Sequence, residues 1–129
     1  MNWISLQELI LIHARVIEET GGAQGTINPG GVESALARPF SAFDGTELFA
    51  DLPAKVAALV HALIQFHPFV DGNKRTALVA ADVCLRLNGY RLIPSEQVES
   101  FFWAIARGEK SAEQIAEWLT TRIEPWTAT

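Results

Sequence analysis

His67-Pro68-Phe69-Val70-Asp71-Gly72-Asn73-Lys74-Arg75 is a polar loop set between two apolar stretches, residues 52–66 and 73–88, whose length and composition read as helices. Proline disfavours helical angles at the residue before it, so the first helix is expected to stop at about Phe66 and to turn His67 out of the helical register. Gly72 permits a tight turn after Asp71, and Asn73 is a good N-cap, so the second helix opens onto the loop with free amide donors. Phe69 faces inward as the loop's hydrophobic anchor. A polar loop gripped by two helices in this way reads as a site.

Each loop residue has a specific chemical use. A neutral imidazole takes the proton of an attacking hydroxyl, which makes His67 the candidate general base. Asp71 is the candidate Mg²⁺ ligand, because one or two carboxylates suffice where phosphates and waters fill the remaining positions. Phosphate oxygens bind at helix N-termini, where unpaired N–H groups and roughly half a positive charge collect. Lys74 supplies a mobile point charge there and Arg75 a planar fork, so Gly72, Asn73, Lys74 and Arg75 are the candidate ATP-phosphate residues. Taken singly these are an ordinary turn, a lone histidine and a solvated helix start. Their combination in nine residues points to nucleotide phosphates.

The loop resembles the signature of the Fic/Doc family, HPFx(D/E)GN followed by Gly or Lys and then Arg, and reads HPFVDGNKR here. Ile12-His13-Ala14-Arg15-Val16-Ile17-Glu18 with Gly21-Gly22, and Pro29-Gly30-Gly31 leading to Glu33-Ser34-Ala35-Leu36-Ala37-Arg38-Pro39, resemble the Doc branch. Together these pieces span most of residues 4 to 93. The resemblance implies that His67 activates a target hydroxyl, that Asp71 holds Mg²⁺, and that Asn73, Arg75 and helix amides bind nucleotide phosphates. Adenylyl-transferring Fic enzymes have Gly after the Asn and a second Arg three residues beyond the first, whereas this chain has Lys74 and Leu78. That departure is shared by Doc-type proteins, which implies transfer of the ATP γ-phosphate to a Ser/Thr hydroxyl of a protein, with elongation factor Tu as the type target. A Phd-type antitoxin, whose C-terminal segment blocks the site, is implied as a partner. The competing readings are a Fic-type adenylyltransferase and a non-catalytic peptide-binding module. Some Fic proteins carry an inhibitory helix of the form (S/T)xxxE(G/N); Ser95 to Ser100 comes nearest to it, but ends in Ser, and Ser95 is better explained as a helix cap.

With 129 residues and 49% apolar composition, the chain suits one domain, residues 1–129, with a real core. The lone Cys84 lies in an apolar helix and reads as a buried, reduced thiol, which suits a cytoplasmic protein. The N-terminus lacks the pattern of a secretory signal, and no apolar run approaches the ~18 residues a membrane span needs. A formal charge of −5 without a basic stripe argues against direct nucleic-acid binding.

The pattern predicts an all-α fold: a compact bundle of about six helices around a central buried helix, with a flap before the motif. Ser5 and Glu8 form a capping box for a helix to about Thr20, closed by Gly21-Gly22. Val32 to Arg38 reads as a short helix stopped by Pro39, Pro53 suits a first helical turn, and Gly89 ends the helix that begins at Asn73. Ser95 and Ser111 read as N-caps of two more helices separated by Gly108. The 73–88 segment, apolar on nearly every side, is the expected central helix, with Asp82 and Arg86 as an exposed i,i+4 ion pair. Only Tyr90 to Ile93 shows strand character. Residues 40–51 lack helical periodicity; the family resemblance implies a flap that aligns the target by strand addition, and a connector pinned by Phe40, Phe43 and Phe49 is the other reading. His13 reads as a core histidine or a substrate contact. His61 is six residues from His67, the wrong spacing for a helical metal pair, and the four tryptophans are expected to pack helix ends.

Overall fold

The structure, a computed structural model, describes residues 1–128. Six α-helices dominate the described residues: α1 (Leu6–Thr20), α2 (Pro29–Ala37), α3 (Leu52–Phe66), α4 (Asn73–Leu87), α5 (Gln97–Ala106) and α6 (Ala112–Thr120). The all-α bundle expected from the sequence is the observed fold.

The capping box at Ser5 and Glu8 forms, as does a second one at Ser111 and Gln114. Near Ser95 the helix starts one residue late: Glu96 is the cap of α5, and the Ser95 hydroxyl accepts from the Gln97 N–H at 3.1 Å. Helix α2 begins at Pro29, three residues before the expected start at Val32, because the Asn28 side chain caps the Gly31 N–H and Pro29 fits a first turn. Pro39 then sits in a 3₁₀ turn, Arg38–Phe40, that leads away from α2.

The central helix is α3, and this corrects the expectation for residues 73–88. Every residue of 55–60 and 62–64 is buried, and α3 packs against α2, α4, α5 and α6. Ala57, Ala58 and Ala62 let these neighbours approach closely. Helix α4 buries one face, through Thr76, Ala77, Ala80, Ala81, Cys84 and Leu85, while Val79 and Leu87 reach the surface. Its outer apolar side chains line a surface groove, so apolarity on all sides did not mean burial on all sides. Burial pushes the Cys84 thiol up to about 12.

Asp82 and Arg86 do pair, at 2.8 Å, but are half-buried and structural. Asp82 also accepts from the Leu92 N–H at 3.0 Å, and Arg86 lies 4.8 Å from the Trp126 ring centroid. They fasten a two-stranded sheet, β3 (Tyr90–Leu92) against β4 (Ile123–Pro125), to the end of α4. β4 had no sequence signal, being three residues with a proline.

Residues 40–51 contain a β-hairpin, β1 (Ala42–Phe43) antiparallel to β2 (Thr46–Glu47). Asp44 (φ 52°) and Gly45 (φ 76°) form its tip, the pair of left-handed residues that a two-residue hairpin turn requires. Phe43 is 77% exposed, so the aromatics do not all pin the segment. The pin is Lys55, a buried residue that the sequence did not single out. Its ammonium donates to the carbonyls of Pro39 (3.3 Å) and Phe49 (2.5 Å), pairs with Glu47 (3.0 Å) and lies 5.2 Å from the Phe40 ring centroid. Among the described residues no helix is long and apolar enough to cross a membrane.

Lys55→Met should strand the Pro39 and Phe49 carbonyls, lower unfolding stability by about 1–3 kcal/mol and open the hairpin to proteolysis. Urea unfolding and limited proteolysis check this; an unchanged midpoint with an unchanged cleavage pattern would leave the ammonium without an anchoring role.

Candidate functional site

His67 caps α3 in the left-handed region (φ 51°, ψ 52°) and is exposed. Proline after it blocks the right-handed helical well, and a non-glycine residue at positive φ persists only where its surroundings hold it. The next residue is held from the segment between α1 and α2: the Pro68 carbonyl accepts from the N–H groups of Ile27 (2.8 Å) and Asn28 (3.0 Å).

Phe69 is the expected inward anchor. It is fully buried and stacks on His13, with ring centroids 3.9 Å apart and planes 7° from parallel. Its main chain is closed by Asn73, whose side-chain oxygen accepts from the Phe69 N–H (3.0 Å) and whose side-chain nitrogen donates to the Phe69 carbonyl (2.9 Å). One sequence expectation for Asn73 therefore changes. The cap of α4 is Gly72 and Asn73 is the first helical residue; and the 5% exposed Asn73 amide spends its oxygen and one of its two N–H donors on the loop. Those bonds fix loop shape.

Asp71 is exposed, and its Oδ2 accepts from the Ala23 N–H at 2.8 Å, which orients the carboxylate. Its carbonyl is 2.8 Å from His13 Nε2, placing an N–H donor there. His13 is thus the buried core histidine of the two readings, with its polar edge on the motif. Gly72 follows at φ 77°, where a Cβ would stand 2.8 Å from Ile17 Cδ1, so a side chain here would be strained by φ and would push the Ile17 methyl aside.

No side chain caps the start of α4, so its amides open towards the loop. Arg75 is exposed and donates through Nη1 to Thr20 Oγ1 at 3.1 Å. The Lys74 ammonium lies 4.2 Å from the Trp103 ring centroid and 3.9 Å from Glu99 Oε1. His67, Asp71, Gly72, Asn73, Lys74 and Arg75 line one cleft of about 320 Å³, so the structure gathers all the sequence-derived candidates. Glu99, Trp103 and Ala106 of α5 form its far wall. Trp103, half exposed, corrects the expectation that the tryptophans pack helix ends; the Trp3, Trp118 and Trp126 rings do contact other side chains. The larger groove on α4, about 410 Å³, is mostly apolar and holds none of the candidate residues.

No three His, Cys, Asp or Glu side chains converge among the described residues in a way that could hold a metal ion. The single carboxylate of Asp71 fits an ion such as Mg²⁺ that brings its other ligands as phosphate oxygens and water. The sequence pattern of the motif contained no trace of Thr20 and Ala23, which bond to Arg75 and Asp71, or of Glu99 and Trp103, which line the cleft, because all four come from other parts of the chain. The one available hint was Gly21-Gly22, which allows the chain to pass close to the motif.

Residues 3–85 match the family model described as the Fic/DOC family. The chain is 35% identical over 119 residues to a "Protein kinase doc" of Escherichia phage P1, covering 92% of this chain and 94% of that one. It is 38% identical over 79 residues to a "Toxin Doc" of Mycolicibacterium smegmatis, 61% of each chain. A "Protein adenylyltransferase Fic" of Drosophila melanogaster is 31% identical over 116 residues, 77% of this chain but 24% of that much longer one.

Gly72→Ala should cost about 1–3 kcal/mol, from positive φ and the contact with Ile17. Adding Ile17→Val, which removes the clashing Cδ1, should relieve the steric part of that loss and leave the part due to φ. Urea midpoints of the single and double variants read this out, and a Gly72→Ala protein as stable as the parent would mean that the turn relaxes freely.

Proposed function

This chain belongs to the Fic/DOC family, and from that premise we propose that it is a Doc-type toxin that transfers the γ-phosphate of ATP to a Ser or Thr hydroxyl of a protein in the cytoplasm. The observation that carries the reading is the cleft in which His67, Asp71, Lys74 and Arg75 meet the open N-terminus of α4.

In the proposed reaction His67 takes the proton of the target hydroxyl as its oxygen attacks the γ-phosphorus. The bond from that phosphorus to the β–γ bridging oxygen breaks, and ADP leaves. Arg75, Lys74 and the amides at Gly72 and Asn73 bind the phosphates and stabilise charge on the transferred group. Mg²⁺ held by Asp71 would neutralise phosphate oxygens. Asn73 serves the same site through the loop it closes.

Phosphate transfer is favoured over adenylyl transfer by Lys74 and Leu78, where the adenylylating pattern has Gly and Arg, and by the nearly full-length likeness to a protein named as a kinase. The Doc relative named as a toxin supports a partnership with an antitoxin, here proposed to be of Phd type, and elongation factor Tu is the proposed target. The shallow groove lined by Leu11, Ile12, Val16 and Val79 offers apolar surface for such a segment. The exposed hairpin of residues 42–47 offers unpaired strand edge to a target.

The purified protein should transfer γ-label and not α-label from ATP to a protein in cell extract, and His67→Ala should lower that rate about 10²- to 10⁴-fold. Transfer of α-label would replace this reading with adenylylation. ATP binding with no transfer to any protein would leave a peptide-binding module.

A further inference from the structure

Two functional side chains of the motif are gripped from outside it, by the residues on either side of Gly21-Gly22. Ala23 donates its N–H to Asp71 Oδ2 at 2.8 Å, and Thr20 receives Arg75 Nη1 on its hydroxyl at 3.1 Å. The approach is made possible by Gly22, at φ 114°, where a Cβ would meet Asp71 Cβ at 3.2 Å and Ile17 Cδ1 at 3.3 Å.

The direction of the Thr20 bonds is fixed by donor count. A hydroxyl has one proton, and that of Thr20 is donated to the Val16 carbonyl at 2.6 Å. Its lone pairs are left to accept, and Arg75 can only donate. Back-bonding to Val16 also fixes the χ1 rotamer, so the hydroxyl oxygen is a stationary acceptor at the last residue of α1. Arg75 is exposed and, without a partner, its long side chain would sample many rotamers. One N–H tied to Thr20 leaves the rest of the guanidinium fork for a phosphate while restricting where the fork can point.

We propose that Thr20 is a positioning residue for the nucleotide: its hydroxyl holds the Arg75 guanidinium in the orientation in which it binds ATP phosphate. This rests on the assignment of Arg75 as a phosphate ligand. The two grips are separable, since Asp71 is held by a main-chain N–H that a side-chain change at position 20 leaves in place. Thr20 is itself exposed, so removing its hydroxyl does not open the core.

The experiment is a double-mutant cycle on ATP affinity, measured calorimetrically at saturating Mg²⁺, with Thr20→Val, Thr20→Ser, Arg75→Ala and the Thr20→Val/Arg75→Ala pair. Thr20→Val should weaken ATP binding about three- to tenfold with an unchanged unfolding midpoint, and Thr20→Ser should restore binding to within about twofold. In the Arg75→Ala background Thr20→Val should change nothing further. The proposal is overturned by parent-like ATP affinity in Thr20→Val, by an equal loss in Thr20→Ser, or by a Thr20→Val loss that persists without Arg75 or tracks a lowered midpoint. Parent protein that binds no ATP at all would remove the phosphotransferase reading itself; Arg75→Ala binding ATP as tightly as the parent would remove only the premise for Thr20.

Discussion

The stacked pair of His13 and Phe69 is the contact on which the motif loop depends. Ordering an irregular backbone costs about 1–2 kcal/mol per residue, and burying one Phe side chain returns about 1.5–3 kcal/mol. One anchor therefore cannot order residues 67–72. The remainder comes from hydrogen bonds that converge on the same loop: the Asn73 clamp on Phe69, Ile27 and Asn28 on the Pro68 carbonyl, Gly25 on the Val70 N–H, and His13 on the Asp71 carbonyl. His13 belongs to both sets, which gives an otherwise bland core histidine a specific task. It joins the hydrophobic anchor to the main chain of the carboxylate that follows it.

The same geometry explains why the segment between α1 and α2 carries so little side-chain bulk beside the motif. Residues 25–28 run alongside it with bridge-like pairing between Thr26 and Phe69. A Cβ at Gly25 would meet Val70 Cγ2 at 3.3 Å, and one at Gly31 would meet Pro68 Cβ at 3.3 Å. Gly25 on the connector and Gly31 in the first turn of α2 thus leave room for Val70 and Pro68, and the polar side chains of the loop line the cleft.

The fold was largely legible because helix signals are local. The capping box at Ser5, the N-cap at Ser111, Pro53 in a first turn, and the proline after His67 all act within a few residues of themselves. What was illegible depends on partners distant in sequence. The sequence reading took α4 as the buried helix although Asn73, Lys74, Arg75, Asp82 and Arg86 make it the more polar of the two, and packing encloses α3 while α4 keeps an open face. Lys55 carried no signal within its own helix, because the carbonyls and carboxylate that receive it come from the preceding turn and hairpin. In the site the motif gave its own cleft residues, but the clamp that Asn73 makes on the Phe69 main chain was not legible, because it depends on how the loop folds back.

The electrostatics of the cleft turn on Lys74. Its nearest carboxylate, Glu99, is 77% exposed and 3.9 Å away, a surface pair worth roughly 0–1 kcal/mol. The Lys74 stem and ammonium are better held by the Trp103 ring, since its side chain is only 19% exposed and stacks against that indole. An aromatic face holds a cation without neutralising it, so the charge stays available to an anion. A bound triphosphate would carry far more charge than one exposed carboxylate and would meet Arg75 and the α4 amides together with Lys74. Glu99 would therefore offer it weak competition, and an acidic protein can present a local cationic pocket at the start of one helix.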